Sequence, residues 1–265
     1  MIKNSENNIK FMCIIPAAGE SSRFKKGNKL FEYIYENEDV LSRTIKNITA
    51  IKDFDEVFVG LNPKDINFPE GYLGNIDNIT FYAGGESRQT TVLNGLECIK
   101  KLNIDEIDNT WVIIHDAARP TISSQDIIEF VRNVISLNKS SIMAIPVSDT
   151  IKKVDKNNNI INTTSRDEMW LAQTPQMFRF GILYNSLKHC VSNKINVTDE
   201  SQAIEILGHE CAVVRGKPYN IKITEDIDLN HARALAGDLS ISMNNFSEEC
   251  IVPSKSYKEE EESND

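Results

Sequence analysis

The clearest indication of the fold is the stretch FMCIIPAAGESSRF, residues 11–24. The run Phe11–Pro16 predicts a strand buried on both faces, because its apolar residues are continuous rather than alternating. The small residues Ala17-Ala18-Gly19 follow, where the backbone can approach a ligand closely and present N–H groups to phosphate. One glycine matches neither the dinucleotide-binding fingerprint nor the P-loop. The loop therefore suits an anionic ligand without defining one.

Positive charge is concentrated in this loop although the chain is acidic. The 265 residues have a formal net charge of −10, and residues 241–265 contribute −5 of it. Residues 16–30 carry +3, because Arg23, Lys29 and two further lysines outweigh Glu20. The acidic balance argues against a nucleic-acid binder that relies on phosphate contacts. A basic loop on an acidic body fits a small anionic ligand, and charge alone leaves a solvated turn equally open.

Further short apolar runs recur along the chain and alternate with helical patterns. The predicted strands are Val57–Leu61, Ile79–Tyr82, Trp111–His115 and Ile142–Val147. Helical spacing of apolar residues predicts helices over 40–48, 91–99 and 127–135. This alternation indicates an α/β fold with a mostly parallel sheet and helices on both faces. Ligands bind such sheets at the carboxyl ends of the strands.

The pattern changes after Pro146. Alternating runs at Thr150–Val154 and Ile160–Thr164 flank a polar turn, which predicts a hairpin that projects from the sheet. Helices follow at about 180–191 and 200–207, then a strand at 211–214, the run 221–223 and a last helix at about 225–236. We expect one domain over residues 11–238 with an arm at about 148–172, and disordered tails at 1–10 and 239–265.

The composition favours a cytoplasmic protein. The five cysteines are scattered and form no CxxC pair, which is typical of free thiols in a reducing compartment. The apolar stretches are much shorter than a membrane span, and the polar N-terminus lacks the layout of a signal peptide.

Two more segments follow predicted strands at the ligand edge. The first, GGESR at 84–88, allows close approach of a flat base, or is a plain loop in which Ser87 caps the next helix. The second, HDAARP at 115–120, contains His115 and Asp116, which point in different directions because they are adjacent on a strand. They are therefore no catalytic pair. We interpret His115 as structural, and Asp116 and Arg119 as candidate ligand contacts.

Seven motifs in this order give the sequence a specific resemblance. They are AAG at 17–19 with Arg23, GGESR at 84–88, HDAARP at 115–120, PVSDT at 146–150, QTPQ at 173–176, TDE at 198–200 and NIKIT at 220–224. Together they resemble the 2-C-methyl-D-erythritol 4-phosphate cytidylyltransferases of the non-mevalonate isoprenoid pathway. The resemblance extends from about Phe11 to Leu235.

The resemblance implies a Rossmann-like single domain, a homodimer joined through the projecting β-arm, and CTP bound with Mg²⁺ that is held mainly by the CTP phosphates. The implied catalytic residues are Arg23, Lys29, Arg166 and Lys222. The implied CTP-binding residues are Ala17, Ala18, Gly19, Arg23, Lys29, Gly85, Glu86, Thr91, Asp116 and Ala117. The implied contacts to the acceptor phosphate are Arg119, Thr150, Arg166 and Lys222. The arm residues among them would act across the dimer interface.

Three positions depart from the family pattern. Lys29 lies between Asn28 and Leu30, where the family usually has Pro-Lys-Gln. Glu86 stands where aspartate is common, and Thr91 stands where serine is common. The first departure leaves the loop geometry open, whereas the third keeps the hydroxyl group.

Other functions remain to be weighed against this one. A cytidylyltransferase for ribitol 5-phosphate shares the motifs, although Ala118 favours methylerythritol phosphate. A glycosyltransferase would need an Asp-x-Asp motif after a strand, but Asp53-Phe54-Asp55 precedes a strand and Asp226-Ile227-Asp228 begins a helix. A nucleotide sensor would bind CTP without releasing pyrophosphate and would leave Arg166 and Lys222 without a role.

Overall fold

The computed structural model describes residues 9–19, 24, 28–35, 37–64, 77–102 and 107–244. Arg23 and most of both predicted tails, residues 1–8 and 245–265, lie outside these ranges. No helix in the described ranges combines the length and apolar character that a bilayer span requires.

The chain alternates strands and helices up to β7 and then becomes irregular. The strands are β1 (Lys10–Ala17), β2 (Tyr33–Tyr35), β3 (Glu38–Asp39), β4 (Glu56–Leu61), β5 (Ile79–Ala83), β6 (Thr110–Ile114), β7 (Ser141–Pro146), β8 (Ile151–Val154), β9 (Ile160–Thr164), β10 (Trp170–Arg179) and β11 (Ala212–Arg215). The helices are α1 (Val40–Thr49), α2 (Arg88–Lys101), α3 (Ser124–Leu137), α4 (Phe180–Ser192), α5 (Glu200–Ile206) and α6 (Asp226–Asn244). Short 3₁₀ turns lie at Lys29–Phe31 and Ile107–Asn109.

Seven strands form the central sheet, in the order β11-β7-β10-β6-β1-β4-β5. The pairs β1–β4, β1–β6, β4–β5 and β7–β11 are parallel, whereas β10 runs antiparallel to both β6 and β7. The predicted α/β class and mostly parallel sheet are confirmed. The carboxyl ends of β1, β4, β5 and β6 consequently meet at one edge.

Strand β10 was not predicted. In the sequence alone, Gln173–Gln176 is only one of the seven motifs. Pro175 has no N–H to donate, and proline is rare inside a central strand. The structure explains how β10 accommodates this proline. Pairing with β7 is interrupted between Ala172 and Gln176 and then resumes. A register shift thus accommodates the proline between two regular stretches.

The position of β1 in the sheet explains the continuous apolar run Phe11–Pro16. Phe11, Cys13 and Ile15 pack into the core layer formed with α1, α3 and α6. Met12 and Ile14 pack into the opposite layer, formed with α2, α4 and α5. A strand covered on both faces has no polar side, so apolar residues occupy consecutive positions.

Several helix starts are capped as their sequences suggest. Asp39, Ser87, Ser123 and Asp199 each accept a backbone N–H in the first turn of the following helix. These bonds satisfy donors that a helix start leaves unpaired. Helix starts at the carboxyl edge of the sheet are thereby held in place.

The last third of the chain differs in two places from the prediction. The final helix α6 runs to Asn244, eight positions beyond the expected end at Ala236. Residues 221–223 form no strand, although the Ile223 N–H donates to the Ala118 carbonyl at 2.9 Å. The hairpin of β8 and β9 is present where it was predicted.

Candidate active site

A pocket of about 480 Å³ opens at the carboxyl edge of the sheet. Its wall follows the strand ends in turn: residues 16–19 after β1, Asn62 after β4, residues 85–88 after β5 and residues 116–118 after β6. The 3₁₀ turn at Lys29 and the segment with Lys222 and Thr224 complete the wall. The pocket thus occupies the position that a mostly parallel sheet reserves for ligands.

The structure brings most of the predicted site residues to this wall. Those that line the pocket are Ala17, Ala18, Gly19, Lys29, Gly85, Glu86, Thr91, Asp116, Ala117 and Lys222. Those that do not line it are Arg119, Thr150 and Arg166. Arg23 lies outside the described residues, so its predicted contact stays a prediction.

The loop after β1 packs tightly against the loop after β5. A Cβ added at Gly84 would overlap the Ala18 Cβ and would lie 3.1 Å from the Leu61 carbonyl oxygen. A Cβ added at Gly19 would meet nothing within 4 Å. The contact between these two loops therefore requires a glycine at position 84, whereas a side chain at position 19 would meet no described atom.

The loop 84–88 is both a helix cap and a pocket wall. Ser87 caps α2 in a reciprocal arrangement with Thr90, as the plain structural interpretation expected. The buried Thr91 hydroxyl donates to the Ser87 carbonyl at 2.8 Å and accepts the Gly85 N–H at 3.0 Å. Thr91 therefore shapes the loop that presents Gly85 and Glu86.

His115 is structural, as the sequence interpretation expected. Its ring is fully buried, with Nε2 3.1 Å from the Arg119 carbonyl oxygen and Nδ1 3.2 Å from the Thr174 hydroxyl. Burial lowers the pKa of His115 to about 4, because the charged ring loses its hydration. A neutral histidine that faces these partners serves the strand end and not the reaction.

Asp116 is the centre of a cluster of cations. Its Oδ1 accepts from Arg88 Nε at 2.9 Å, and its Oδ2 lies 2.7 Å from Lys222 Nζ and 3.7 Å from Arg119 Nε. Burial would raise the pKa of Asp116, but the charges of Arg88, Lys222 and Arg119 outweigh burial and hold it well below its usual range. Asp116 is therefore ionised, and its oxygens are committed to these cations.

Arg119 lies beneath the pocket wall rather than on it. The residue is 8% exposed, and its Nη1 donates to the Asn220 carbonyl at 2.7 Å. The predicted contact of Arg119 with an acceptor phosphate has no support from this position, because Arg119 is buried and does not line the pocket. Arg119 instead supports the segment that carries Lys222.

The two pocket lysines come together through the segment 220–224. Lys29 Nζ donates to the Ile223 carbonyl at 2.6 Å, next to Lys222 in the chain. The buried Asn220 side chain donates to the Thr174 carbonyl at 2.8 Å and anchors the segment to β10. Asn28, where the family usually has proline, accepts the Leu30 N–H and caps the turn that carries Lys29. The turn that carries Lys29 is therefore ordered although Asn28 replaces the usual proline.

The arm residues lie apart from the pocket within this chain. Thr150 precedes β8 and Arg166 follows β9, and both are exposed. The Arg166 guanidinium donates to the Ser148 carbonyl, which ties the two ends of the hairpin together. Neither residue reaches the pocket of its own chain.

Sequence reasoning named the segments but missed several residues that build the site. Arg88 and Glu200 lie inside the quoted motifs, yet no role was assigned to either. Thr174 holds the Asp116 backbone N–H at 3.0 Å. Their signal was a polar residue beside a strand end or helix start, which sequence alone cannot distinguish from a cap.

A mostly parallel sheet with a cationic pocket at the carboxyl ends of its strands is typical of α/β proteins that bind phosphorylated ligands. The sequence model of the 2-C-methyl-D-erythritol 4-phosphate cytidylyltransferase family, IspD, matches residues 11–237. The chain belongs to this family.

Individual relatives agree over most of their length. The 2-C-methyl-D-erythritol 4-phosphate cytidylyltransferase of Acinetobacter baumannii is 35% identical over 240 residues, which are 88% of this chain and 97% of the relative. The crystal structure of the Francisella tularensis enzyme is 34% identical with a TM-score of 0.70, over 85% of this chain and 99% of that one. The 4-diphosphocytidyl-2C-methyl-D-erythritol synthase of Anaerococcus prevotii is 27% identical with a TM-score of 0.73, over 89% and 100%.

Proposed function

We propose that this chain transfers the cytidylyl group of CTP to 2-C-methyl-D-erythritol 4-phosphate. The products are 4-diphosphocytidyl-2-C-methyl-D-erythritol and pyrophosphate, in the pathway to isoprenoid precursors. The family membership supports this activity. The observation on which the mechanism rests is the pocket that collects Lys29 and Lys222 at the carboxyl edge of the sheet.

The reaction needs charge compensation more than proton transfer. An oxygen of the acceptor phosphate forms a bond to the α-phosphorus of CTP, while the bond from that phosphorus to the bridging oxygen breaks and pyrophosphate takes the electron pair. A phosphate monoester has a second pKa of about 6, so the nucleophile is already ionised at neutral pH. Two like charges about 4 Å apart repel by roughly 4 kcal/mol at an effective dielectric of about 20. Cations therefore carry the catalysis.

The nucleotide half of the pocket is formed by backbone and small residues. The open loop Ala17–Gly19 suits a phosphate chain that needs N–H donors at close range. Gly85 and Glu86 suit the cytosine edge, with Thr91 holding their loop. Asp116 and Ala117 suit the ribose end. We assign Lys29 and Arg23 to the phosphates, where positive charge stabilises the crowded α-phosphorus in the transition state.

The acceptor half depends on Lys222 and on the arm. Lys222 lines the pocket. Thr150 and Arg166 lie on an exposed hairpin that does not reach the pocket of its own chain. We therefore propose a homodimer in which each arm brings these residues to the pocket of the other protomer. Exposed apolar side chains on and beside the arm support this, since Ile160 is 64% and Ile161 58% exposed.

Mg²⁺ fits this pocket as an ion that arrives with the nucleotide. The described residues contain no cluster of three or more metal-ligating side chains. Of the carboxylates that line the described pocket, Asp116 is already held by cations and Glu86 is exposed. Mg²⁺ keeps several waters and favours phosphate oxygens, so a site formed mainly by CTP needs few protein ligands. When bound, the ion would neutralise charge on the leaving phosphates.

The cellular setting is also part of the proposal. The described cysteines Cys13, Cys98, Cys190 and Cys211 are free thiols. Free thiols are typical of a reducing compartment, so we propose that the enzyme acts in the cytoplasm.

A pyrophosphate-release assay tests the function directly. The purified chain is incubated with Mg²⁺, each of the four nucleoside triphosphates and either methylerythritol 4-phosphate or ribitol 5-phosphate. We expect release with CTP and methylerythritol 4-phosphate. A clear preference for ribitol 5-phosphate would contradict the proposed acceptor. Binding of CTP without any release would instead indicate a nucleotide sensor.

A further inference from the structure

Glu200 is a buried carboxylate that the proposed chemistry leaves without a role. It is the first residue of α5, is 1% exposed and does not line the pocket. Its Oε1 accepts from Arg88 Nη1 at 2.7 Å, whereas its Oε2 has no hydrogen-bond partner among the described residues. Burial raises the pKa of Glu200, and the charge and hydrogen bond of Arg88 act against that shift. A buried carboxyl group with an unsatisfied oxygen costs stability. Its contact with Arg88 is therefore the feature to explain.

Arg88 connects Glu200 to the pocket. The guanidinium donates through Nη1 to Glu200 and through Nε to Asp116 Oδ1 at 2.9 Å. Because a guanidinium is planar and rigid, fixing one edge fixes the direction of the other. Arg88 also lies in the first turn of α2, where the helix dipole disfavours a cation. Two carboxylates therefore hold the guanidinium in a position that the helix alone would disfavour.

Glu200 is presented on a firmly held support. Gln176 in β10 donates to the Asp199 carboxylate at 2.9 Å, and Asp199 caps α5. Gln89, next to Arg88, donates to the Ile195 carbonyl at 3.1 Å and accepts the Val197 N–H at 3.3 Å. The start of α2 and the approach to α5 are thus joined at several points. The backbone positions of Glu200 and Arg88 are thus held by bonds other than their own contact, so a change of the Glu200 side chain acts on the direction of the guanidinium.

The chain of contacts ends at Lys222, which lines the pocket and which we assign to the acceptor. Asp116 receives Arg88 on one oxygen and Lys222, at 2.7 Å, on the other. A rotation of the carboxylate would move both of these bonds together. The direction of Lys222 Nζ in the pocket therefore depends on Arg88.

We propose that Glu200 is a positioning residue for the transfer reaction. It holds Arg88 so that Arg88 orients the Asp116 carboxylate, and Asp116 in turn orients the Lys222 ammonium group. This inference rests on the proposed cytidylyltransferase activity. It assigns a role to residues that lie behind the acceptor half of the pocket.

A double-mutant cycle tests this role. Glu200→Gln keeps the side-chain volume and one acceptor oxygen for Arg88 but removes the charge. We expect it to lower kcat/KM by about tenfold in the wild-type background and by less than about twofold in Asp116→Asn, because its effect passes through Asp116. The CTP affinities of the same four proteins are measured by calorimetry, which does not depend on turnover. Glu205→Gln, at an exposed acid of the same helix, is the matched control and should match the wild type.

Three results would overturn the proposal. Equal losses from Glu200→Gln in both backgrounds would show that Glu200 does not act through Asp116. An activity loss that simply follows a lowered melting temperature would show a structural role only. If the wild-type chain neither binds CTP nor releases pyrophosphate, the proposed function fails and this inference fails with it. If the wild type is active but the effects of the two substitutions are additive, only the role proposed for Glu200 is contradicted, and the proposed function stands.

Discussion

Lys29 Nζ donates a hydrogen bond of 2.6 Å to the carbonyl oxygen of Ile223, 194 positions further along the chain. This contact joins the turn after β1 to the segment that carries Lys222. The parts of the pocket that we assign to the nucleotide and to the acceptor are therefore joined by a direct hydrogen bond. Lys29 and Lys222, which we assign to different substrates, are thus held at the same backbone segment.

Replacement of Lys29 by alanine should reduce catalysis more than binding. We expect kcat to fall by about a hundredfold or more with a small change in CTP affinity, because the lost charge stabilises the transition state above all. Steady-state kinetics and CTP titration measure the two effects separately. Lys139→Ala is the matched control, since Lys139 is exposed at the opposite edge of the sheet and pairs with Glu210. Turnover near the wild-type rate in Lys29→Ala would contradict the assignment.

Replacement of Arg166 should weaken binding of the acceptor and leave binding of CTP unchanged. Loss of one charge-assisted bond to phosphate costs about 1.5–3 kcal/mol, so the acceptor KM should rise by about tenfold to a hundredfold in Arg166→Ala. The CTP KM should stay constant. If only CTP binding weakened, the acceptor assignment would be wrong.

Mixed dimers test whether the arm acts on the other protomer. Lys29→Ala and Arg166→Ala chains are unfolded, mixed and refolded, or coexpressed with different tags. A mixed dimer then has one site with both substitutions and one with neither. The assay uses an acceptor concentration far below the KM of Arg166→Ala, so that each variant alone has little activity. Random pairing should then restore up to about one quarter of wild-type activity, if each site takes its arm residues from the other protomer of a two-fold dimer. No recovery would show that the arm serves its own chain.

The buried His115 predicts a stability change with pH. Its folded pKa of about 4 lies below the ordinary value of 6.5, so the unfolded chain takes up a proton first as the pH falls. Above pH 6.5 the ring is neutral in both states, so it does not weaken folding. Between pH 6.5 and 4 the unfolded chain alone takes up the proton, and the free energy of unfolding falls by about 3 kcal/mol. Urea unfolding at several pH values should show a shallower dependence for His115→Asn. The same loss of stability with falling pH in His115→Asn and in the wild type would contradict the assignment to the buried neutral ring.

The close packing between the loop after β1 and the loop after β5 is tested at Gly84. An alanine there would overlap Ala18, and overpacking of this kind costs about 1–3 kcal/mol. We expect Gly84→Ala to lower the melting temperature and raise the CTP KM, since both loops line the nucleotide half. Gly181→Ala is the control, because a Cβ there meets nothing within 4 Å. Unchanged kinetics in Gly84→Ala would mean that the loops can move apart freely.

The sequence predicted the parts of the fold that depend on local pattern. The strands at β1, β4, β5, β6 and β7 and the hairpin were found because apolar runs and turns are local signals. Strand β10 was missed because Pro175 and polar neighbours hide a central strand whose pairing is supplied by distant residues. The end of α6 was placed too early because its last two turns carry no strong apolar stripe.

The candidate site was predictable to a similar extent and for a related reason. Motif order identified the segments that line the pocket, and ten of the residues assigned from it lie there. Motifs did not reveal that Arg119 points away from the wall toward Asn220, or that Glu200 holds Arg88. Such links join side chains across β6, α2 and α5, and no spacing along the chain encodes them.

The contact between Asp116 and Lys222 gives the lysine a permanent anionic neighbour. An ammonium group has three N–H donors, so a phosphate that recruits Lys222 can join the carboxylate and need not displace it. The cation is then shared by two anions. The pull of Lys222 on a phosphate is therefore set by the positive charge that Asp116, itself divided among several cations, leaves uncompensated.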